Sequence, residues 1–279
     1  MMIDPNENQE LPNELIGLIP AGGQATRIAP LPCSKEIFPV GFRKINEEEE
    51  VRPKAVCHYL LEKMRLAGVT KSFIILREGK WDIPTYLGDG TLLDMHLAYL
   101  MMGLPYGAPY TLDQAYPFIQ DATVVFGFPD ILFQPDDAFR QLLNHQGATE
   151  ADIVLGLFPA DDPQKMDMVD LDEQRRIQRI VIKPRQTNLY YTWIIAVWTP
   201  VFTNFMHDYL LFAESGQKRN DNISKNISLS TWPEIYVGDV IQAAIDAGMN
   251  VGSLCFIHGT YLDIGTPENL VKAVSHRYF

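Results

Sequence analysis

The chain has 279 residues, 47% of them hydrophobic and 21% charged, a globular composition that excludes intrinsic disorder and fibrous architecture. Lysine and arginine number 23 against 35 aspartates and glutamates, a net charge of −12, so the molecular field repels polyanions and argues against a nucleic-acid-binding module. A phosphate held by such a protein must be held locally, by backbone N–H groups, a few aimed cations, or a metal ion seated on acidic side chains.

The opening residues 1–14 are polar and acidic, with neither a basic n-region nor an apolar h-region, and read as a flexible tail. No apolar run is long enough to span a membrane. Cys33, Cys57 and Cys255 are widely spaced with no CxxC pair, which signals neither a disulfide framework nor a zinc site and fits a reducing cytoplasm.

The first apolar run, Leu15-Ile-Gly-Leu-Ile-Pro-Ala21, is short and followed at once by Gly22-Gly23, as a buried strand ending in a tight loop would be. From Arg52 to Gly68, Val56, Tyr59, Leu60, Met64 and Ala67 recur at helical spacing, and strand-like Ser72-Phe-Ile-Ile-Leu-Arg77 follows. A second cycle is expected to run through a helix at 90–101 to the strand Ala122–Phe128, and a third through a helix at 136–146 to Asp152–Phe158. Strands alternating with helices predict an α/β, doubly wound, mostly parallel sheet.

After Pro159 the rhythm changes. Met168–Leu171, Ile177–Ile182 and Tyr190–Trp198 read as strands with little helix between them, so β-hairpin additions are expected in the second half. A helix at 200–213, a polar loop from Glu214 to Ser230, a helix at 237–248, a strand at Gly252–Ile257 and a closing helix from Pro267 complete the chain. The expectation is one domain over 15–279, with halves 15–160 and 161–279. The run Glu47–Glu50 reads as a solvated loop.

The segment Pro20-Ala-Gly-Gly-Gln-Ala-Thr-Arg27 is expected at the carboxyl end of a strand, where open α/β sheets bind ligands. It fits neither GxGxxG nor GxxxxGK[ST]. A plain turn and a phosphate nest both remain open for Ala21-Gly22-Gly23. Lys35 follows within Ser34-Lys-Glu-Ile-Phe-Pro-Val40, and an arginine fork with a lysine point charge can converge on a triphosphate.

GGQATR followed by SKEIFPV resembles the G-G-x-G-T-R…[SP]-K-x-x-x-P-[VIL] signature of the sugar-1-phosphate nucleotidyltransferases, the nucleoside-diphosphate-sugar pyrophosphorylases. Three later segments fall in the family order. Val124-Val-Phe-Gly-Phe-Pro-Asp130 is similar to the strand that presents a metal-binding aspartate, Ile182-Lys183-Pro184 to the E-K-P motif whose lysine contacts the sugar phosphate, and Tyr261-Leu-Asp263-Ile-Gly-Thr-Pro-Glu268 to the segment carrying the second metal ligand. The resemblance spans residues 22–268. It implies a nucleotide-diphospho-sugar transferase fold and transfer of a nucleotidyl group from a nucleoside triphosphate to a sugar 1-phosphate, with Mg²⁺ on Asp130 and Asp263. It further implies that Arg27, Lys35 and Lys183 act at the phosphates, while Ala21, Gly22, Gly23 and Gln114 serve the nucleotide. Two carboxylates completed by phosphate oxygens and water suit a hard cation that dehydrates reluctantly.

Departures from the family pattern cluster on the sugar side. Ile182 stands where the family has a glutamate, Asp167 where it has a glycine, and Thr192-Trp193 where it has Thr-Gly, so Asp167, Ile182 and Trp193 are expected to reshape or close the sugar pocket. On the nucleotide side, Ala25 replaces a glycine and would be strained at a positive φ, and Leu104 takes the place of a base-reading glutamine. A non-catalytic nucleotide- or sugar-phosphate-binding homologue is the alternative. A glycosyltransferase is disfavoured because no D-x-D ends a core strand. The six histidines form no HxxxH or HExxH pair and receive no catalytic or metal role. Ser34 lacks a G-x-S-x-G frame, and Asp239 reads as a helix N-cap. The base, the sugar and any homo-oligomer are left open.

Overall fold

A computed structural model describes residues 13–44, 50–103, 107–221 and 234–275. Most of the N-terminal tail (1–12), Glu47–Glu49, Leu104, most of the predicted 214–230 loop and His276 lie outside the described residues.

The elements run β1 (Leu15–Pro20), β2 (Pro39–Lys44), β3 (Val51–Ala55), α1 (Val56–Leu66), β4 (Lys71–Leu76), α2 (Asp82–Leu87), β5 (His96–Met101), α3 (Ala108–Asp113), α4 (Tyr116–Ile119), β6 (Thr123–Gly127) and β7 (Ile131–Gln134) in the first half. They continue as α5 (Ala138–Thr149), β8 (Ile153–Pro159), β9 (Asp167–Leu171), β10 (Ile177–Ile182), β11 (Tyr191–Trp198), α6 (Pro200–Asp221), α7 (Val237–Asp246), β12 (Val251–Cys255), β13 (Thr260–Asp263) and α8 (Pro267–Ser275).

Among the described residues, nine strands form one sheet. β1 lies between β4 and β6, parallel to both, and β5 extends the parallel set beyond β4. β11 is antiparallel to β6 and to β8, and β12 runs parallel to β8. The β9–β10 hairpin joins through the first residues of β11, so the expected hairpin is part of the main sheet.

Alternation along the strands assigns the core to two layers. Val124 and Phe126 of β6 join Tyr110, Leu112, Phe202 and Ile241, whereas Val125 between them joins Leu60, Met64, Phe139 and Leu142. Period-two side-chain direction therefore buries both faces of the sheet, one beneath α1 and α5 and the other beneath α3, α6 and α7. This is the doubly wound α/β arrangement.

Three boundaries differ from the sequence reading. The first long helix starts at Val56, not Arg52, because Val51–Ala55 pairs with β2 as β3. Arg52 precedes Pro53, a position biased toward extended backbone. Residues 90–101 form no α-helix, only a single 3₁₀ turn at Thr91–Leu93. Gly90 (φ +92°) and Asp94 (φ +52°) break the segment, and His96–Met101 pairs in register with β4. The 200–213 helix continues to Asp221, since Glu214, Gln217, Lys218 and Arg219 are good helix formers and Gly216 is a single interruption.

Candidate active site

The chain moves outward from β1 to β4 and β5, then returns to β6 on the other side of β1. Ligands of open α/β sheets bind outside the carboxyl ends of strands where the order reverses, which here means the ends of β1 and β6. A cavity of about 330 Å³ opens there, lined by Gly22, Gly23, Gln24, Lys35, Glu36, Thr111, Phe128, Asp130 and Glu234.

The glycine loop forms one wall. The Ala21 N–H is tied to the Ile75 carbonyl at 2.8 Å, and among the described residues no backbone acceptor takes the amides of Gly22, Gly23 or Gln24. A Cβ on Gly22 would stand 2.7 Å from Met102 Sδ, so a larger residue there would have to displace that side chain. Ala25 has φ +54°, the strained conformation anticipated for the residue that replaces the family glycine.

Lys35 sits in a single 3₁₀ turn, Lys35–Ile37, whose preceding Ser34 is anchored by Asp82. The Ser34 N–H and Oγ both donate to that carboxylate, at 2.6 and 2.7 Å. The Lys35 ammonium pairs with Asp130, which leaves β6. Burial works against the Lys35 charge, but Asp130, with smaller help from Glu36 and Asp263, outweighs it and holds the pKa above the ordinary lysine value.

β13 pairs antiparallel with β7, placing Asp263 opposite Ile131, the residue after Asp130. The Ile264 N–H donates to the Asp130 carbonyl at 3.1 Å. The two aspartates, 133 positions apart in the chain, are thereby brought side by side. Asp263 Oδ1 accepts the Gly265 N–H at 2.7 Å and Oδ2 lies 3.9 Å from Arg27 Nη2. Burial, then the Asp130 charge, raise the Asp263 pKa, and the Gly265 N–H, Lys35 and Arg27 oppose the rise. Two half-buried carboxylates that repel each other fit a divalent cation. Among the described residues no third carboxylate, histidine or cysteine completes a cluster, which suits an ion that keeps waters and phosphate oxygens as ligands.

Beyond Asp263 lies a larger cavity of about 830 Å³, lined by Arg27, Lys165, Met166, Lys183, Tyr261, Asp263, Thr266, Asn269 and Lys272 with the acids Asp161, Asp162 and Glu268. Lys183 has φ +39°, and its Nζ stands 3.9 Å from the centroid of the Tyr236 ring. Arg27, Lys35, Asp130 and Asp263 thus meet where the two cavities adjoin, and Lys183 lies across the second.

The other expected residues are placed differently. Gln114 is exposed and its amide folds back on the Tyr110 carbonyl at 3.4 Å; Thr111, one turn earlier, lines the first cavity instead. Trp193 is buried in the core against Phe126 and Phe128, with its indole N–H lacking a partner among the described residues, so it backs the cavity wall rather than lining it. Asp167 and Ile182 pack against the start of α7, where a Cβ on Gly238 would fall 2.8 Å from Asp167 Oδ2 and 2.4 Å from Ile182 Cδ1. Burial, partly offset by Lys183 and reinforced by Asp239, pushes the Asp167 pKa up to about 6. Asp239 is not the helix N-cap: Tyr236 holds that position, and the Asp239 carboxylate, in the first turn of α7, accepts the Tyr236 N–H at 2.8 Å.

Sequence reasoning missed a buried ion pair beneath the loop. Lys80 Nζ donates to Glu36 Oε1 at 2.5 Å, while Glu36 Oε2 has no partner among the described residues. Burial raises the Glu36 pKa and lowers that of Lys80, and each charge opposes the other's shift. The strong turn signal at Gly79 marks where Lys80 lies but not its partner.

The nucleotidyl transferase family matches residues 16–277 of this chain. The protein belongs to that family. Similar proteins include a low-salt glycan biosynthesis nucleotidyltransferase of Haloferax volcanii, 23% identical over 92% of this chain, and a glucose-1-phosphate thymidylyltransferase of Neisseria gonorrhoeae, 26% identical over 93%. The chain spans 64% of the length of the first relative and 81% of the second. In fold, this nucleotidyl transferase family member is similar to the UTP-bound UGPase of Acinetobacter baumannii, with a TM-score of 0.70, 15% identity and coverage of 95% of each chain.

Proposed function

We propose that the protein joins a nucleoside triphosphate to a sugar 1-phosphate, giving a nucleotide-sugar and pyrophosphate, with Mg²⁺ held by Asp130 and Asp263. The observation that carries this reading is the meeting of Asp130 and Asp263 with Lys35 and Arg27 between two cavities, one walled by the glycine loop and the other bearing Lys183. Bound to the aspartates, Mg²⁺ would neutralise phosphate charge.

The chain's own residues do the rest by positioning and electrostatics, with no covalent nucleophile. The amides of Gly22, Gly23 and Gln24, which no backbone acceptor takes among the described residues, gather the triphosphate with Arg27. Lys35, held on Asp130, stands 4.0 Å from the Cβ position of Gly23 and so hangs over the loop the phosphates would follow. Lys183 orients the incoming sugar phosphate from the second cavity, and Tyr236 steadies its ammonium.

A non-catalytic binding role is the second reading. It draws on the packing of Asp167 and Ile182 against α7, where the family pattern has a glycine and a glutamate. The test is a thermal-shift panel of nucleoside triphosphates and sugar 1-phosphates with Mg²⁺, run beside a pyrophosphate-release assay. Catalysis predicts stabilisation by one triphosphate and one sugar phosphate, with pyrophosphate released when both are present. Stabilisation without release selects the binding role, and neither response rejects both.

A further inference from the structure

Lys35 lies on a single 3₁₀ turn, and a turn that short is not firm enough by itself to aim a long, flexible side chain. Its two chain neighbours supply the aim. Asp82 accepts both the N–H and the Oγ–H of Ser34, at 2.6 and 2.7 Å, and Lys80 holds the carboxylate of Glu36. The residues on either side of Lys35 are thus both fastened to one short stretch, Lys80-Trp-Asp82, which leads from β4 into α2.

That stretch is itself held in place. The Lys80 N–H donates to the Arg77 carbonyl and the Ile83 N–H to the Lys80 carbonyl, each at 3.3 Å. Strand order gives the fastening a direction. β4 lies on one side of β1 and β6 on the other, so Ser34 and Glu36 are tied on the β4 side while Lys35 reaches across to Asp130, at the end of β6. The Glu36–Lys80 pair is deeply buried, with side chains 2% and 10% exposed. Burying an ion pair adds little net stability over apolar packing, and fixing the turn that carries Lys35 gives this pair a purpose that stability alone does not.

We propose that Asp82 and Lys80 are positioning residues, which hold Lys35 by its two neighbours so that its ammonium stays over the glycine loop. The inference rests on the nucleotidyl-transfer reading, in which Lys35 meets the triphosphate. Both residues act through Lys35, and neither is assigned a contact with substrate. The sign of the effect separates this role from simple electrostatics. Asp82 and Lys35 wall one space of about 370 Å³ beside Gly23 and Gln24. A carboxylate there repels a polyphosphate, so charge alone predicts that removing it tightens binding. Positioning predicts the opposite, because Ser34 is released and Lys35 with it.

Calorimetric titration of the full chain with inorganic tripolyphosphate and Mg²⁺ tests the assignment without knowledge of the base or the sugar. Lys35→Gln should weaken binding about tenfold or more, and Asp82→Ala about fivefold. In the Lys35→Gln background, Asp82→Ala should weaken it no further, since a residue that acts through Lys35 then has nothing left to position. Lys80→Met should follow Asp82→Ala, and Lys80→Arg, which keeps a cation on Glu36, should bind as the wild type does. Melting curves establish that the variants fold, and Ser34→Ala, which removes only the hydroxyl, carries the same cycle if Asp82→Ala does not. Tighter or unchanged binding in Asp82→Ala, or an equal loss with and without Lys35, overturns the proposal. Pyrophosphate release from nucleoside triphosphates and sugar 1-phosphates, assayed alongside, separates the two ideas. Release by the wild type with additive losses in the cycle rejects the positioning role alone. A Lys35-dependent loss of tripolyphosphate binding without release by the wild type supports the positioning of a phosphate-binding lysine and rejects the nucleotidyl-transfer reading.

Discussion

Ala25 is the clearest case of a residue whose backbone conformation opposes its chemistry. A non-glycine residue in the left-handed region costs about 1–2 kcal/mol, and glycine returns part of that as entropy of the unfolded chain. At φ +54°, Ala25→Gly is therefore expected to hold or raise the melting temperature, and Ala25→Val to lower it by several degrees. A valine variant that melts with the wild type would contradict the strain. Asp167 supplies a pH dependence. Its folded pKa of about 6 exceeds the ordinary 3.8, because burial disfavours the anion. The folded state thus binds an extra proton between about pH 4 and 6, and stability falls as pH rises through that window. The cost is on the order of 2–3 kcal/mol above pH 6. Asp167→Asn should match the wild type near pH 4 in urea denaturation and exceed it at pH 7; an equal difference at both pH values would show that the buried charge is not its cause.

Gly238 decides how closely α7 approaches the β9–β10 hairpin. A methyl group there meets Ile182 Cδ1 at 2.4 Å and Asp167 Oδ2 at 2.8 Å, so Gly238→Ala should destabilise by about 1–3 kcal/mol. A neutral effect on denaturation would mean that the hairpin gives way freely. The legibility of the elements follows from how local their causes are. The buried strands ending at Pro20 and Gly127 declared themselves as short apolar runs, and α1 by its Ala67-Gly68 stop. β5 was invisible because Leu93, Leu97 and Leu100 also fit a helical period, and only pairing with β4 decides between the two. The site divides in the same way. Arg27, Lys35, Asp130 and Asp263 were legible from ordered motifs, whereas the Glu36–Lys80 pair depends on which loops adjoin in space.

Across the whole molecule, a charge of −12 coexists with a small set of cations gathered at the carboxyl ends of β1 and β4 and around the second cavity. Phosphates can be attracted there while the surrounding field repels extended polyanions. No described helix is long and apolar enough to cross a membrane. The sheet makes this arrangement possible. Its switch point opens the crevice, the β7–β13 pairing carries Asp263 beside Asp130, and the β9–β10 hairpin delivers Lys183 to the neighbouring cavity. The central claim is that these two aspartates act together in nucleotidyl transfer. Its most direct test is magnesium-dependent pyrophosphate release by the wild type, Asp130→Asn and Asp263→Asn, over a panel of nucleoside triphosphates with sugar 1-phosphates. The account predicts release by the wild type and a loss of at least a hundredfold in each variant, with folding retained. Undiminished release by either variant would contradict it.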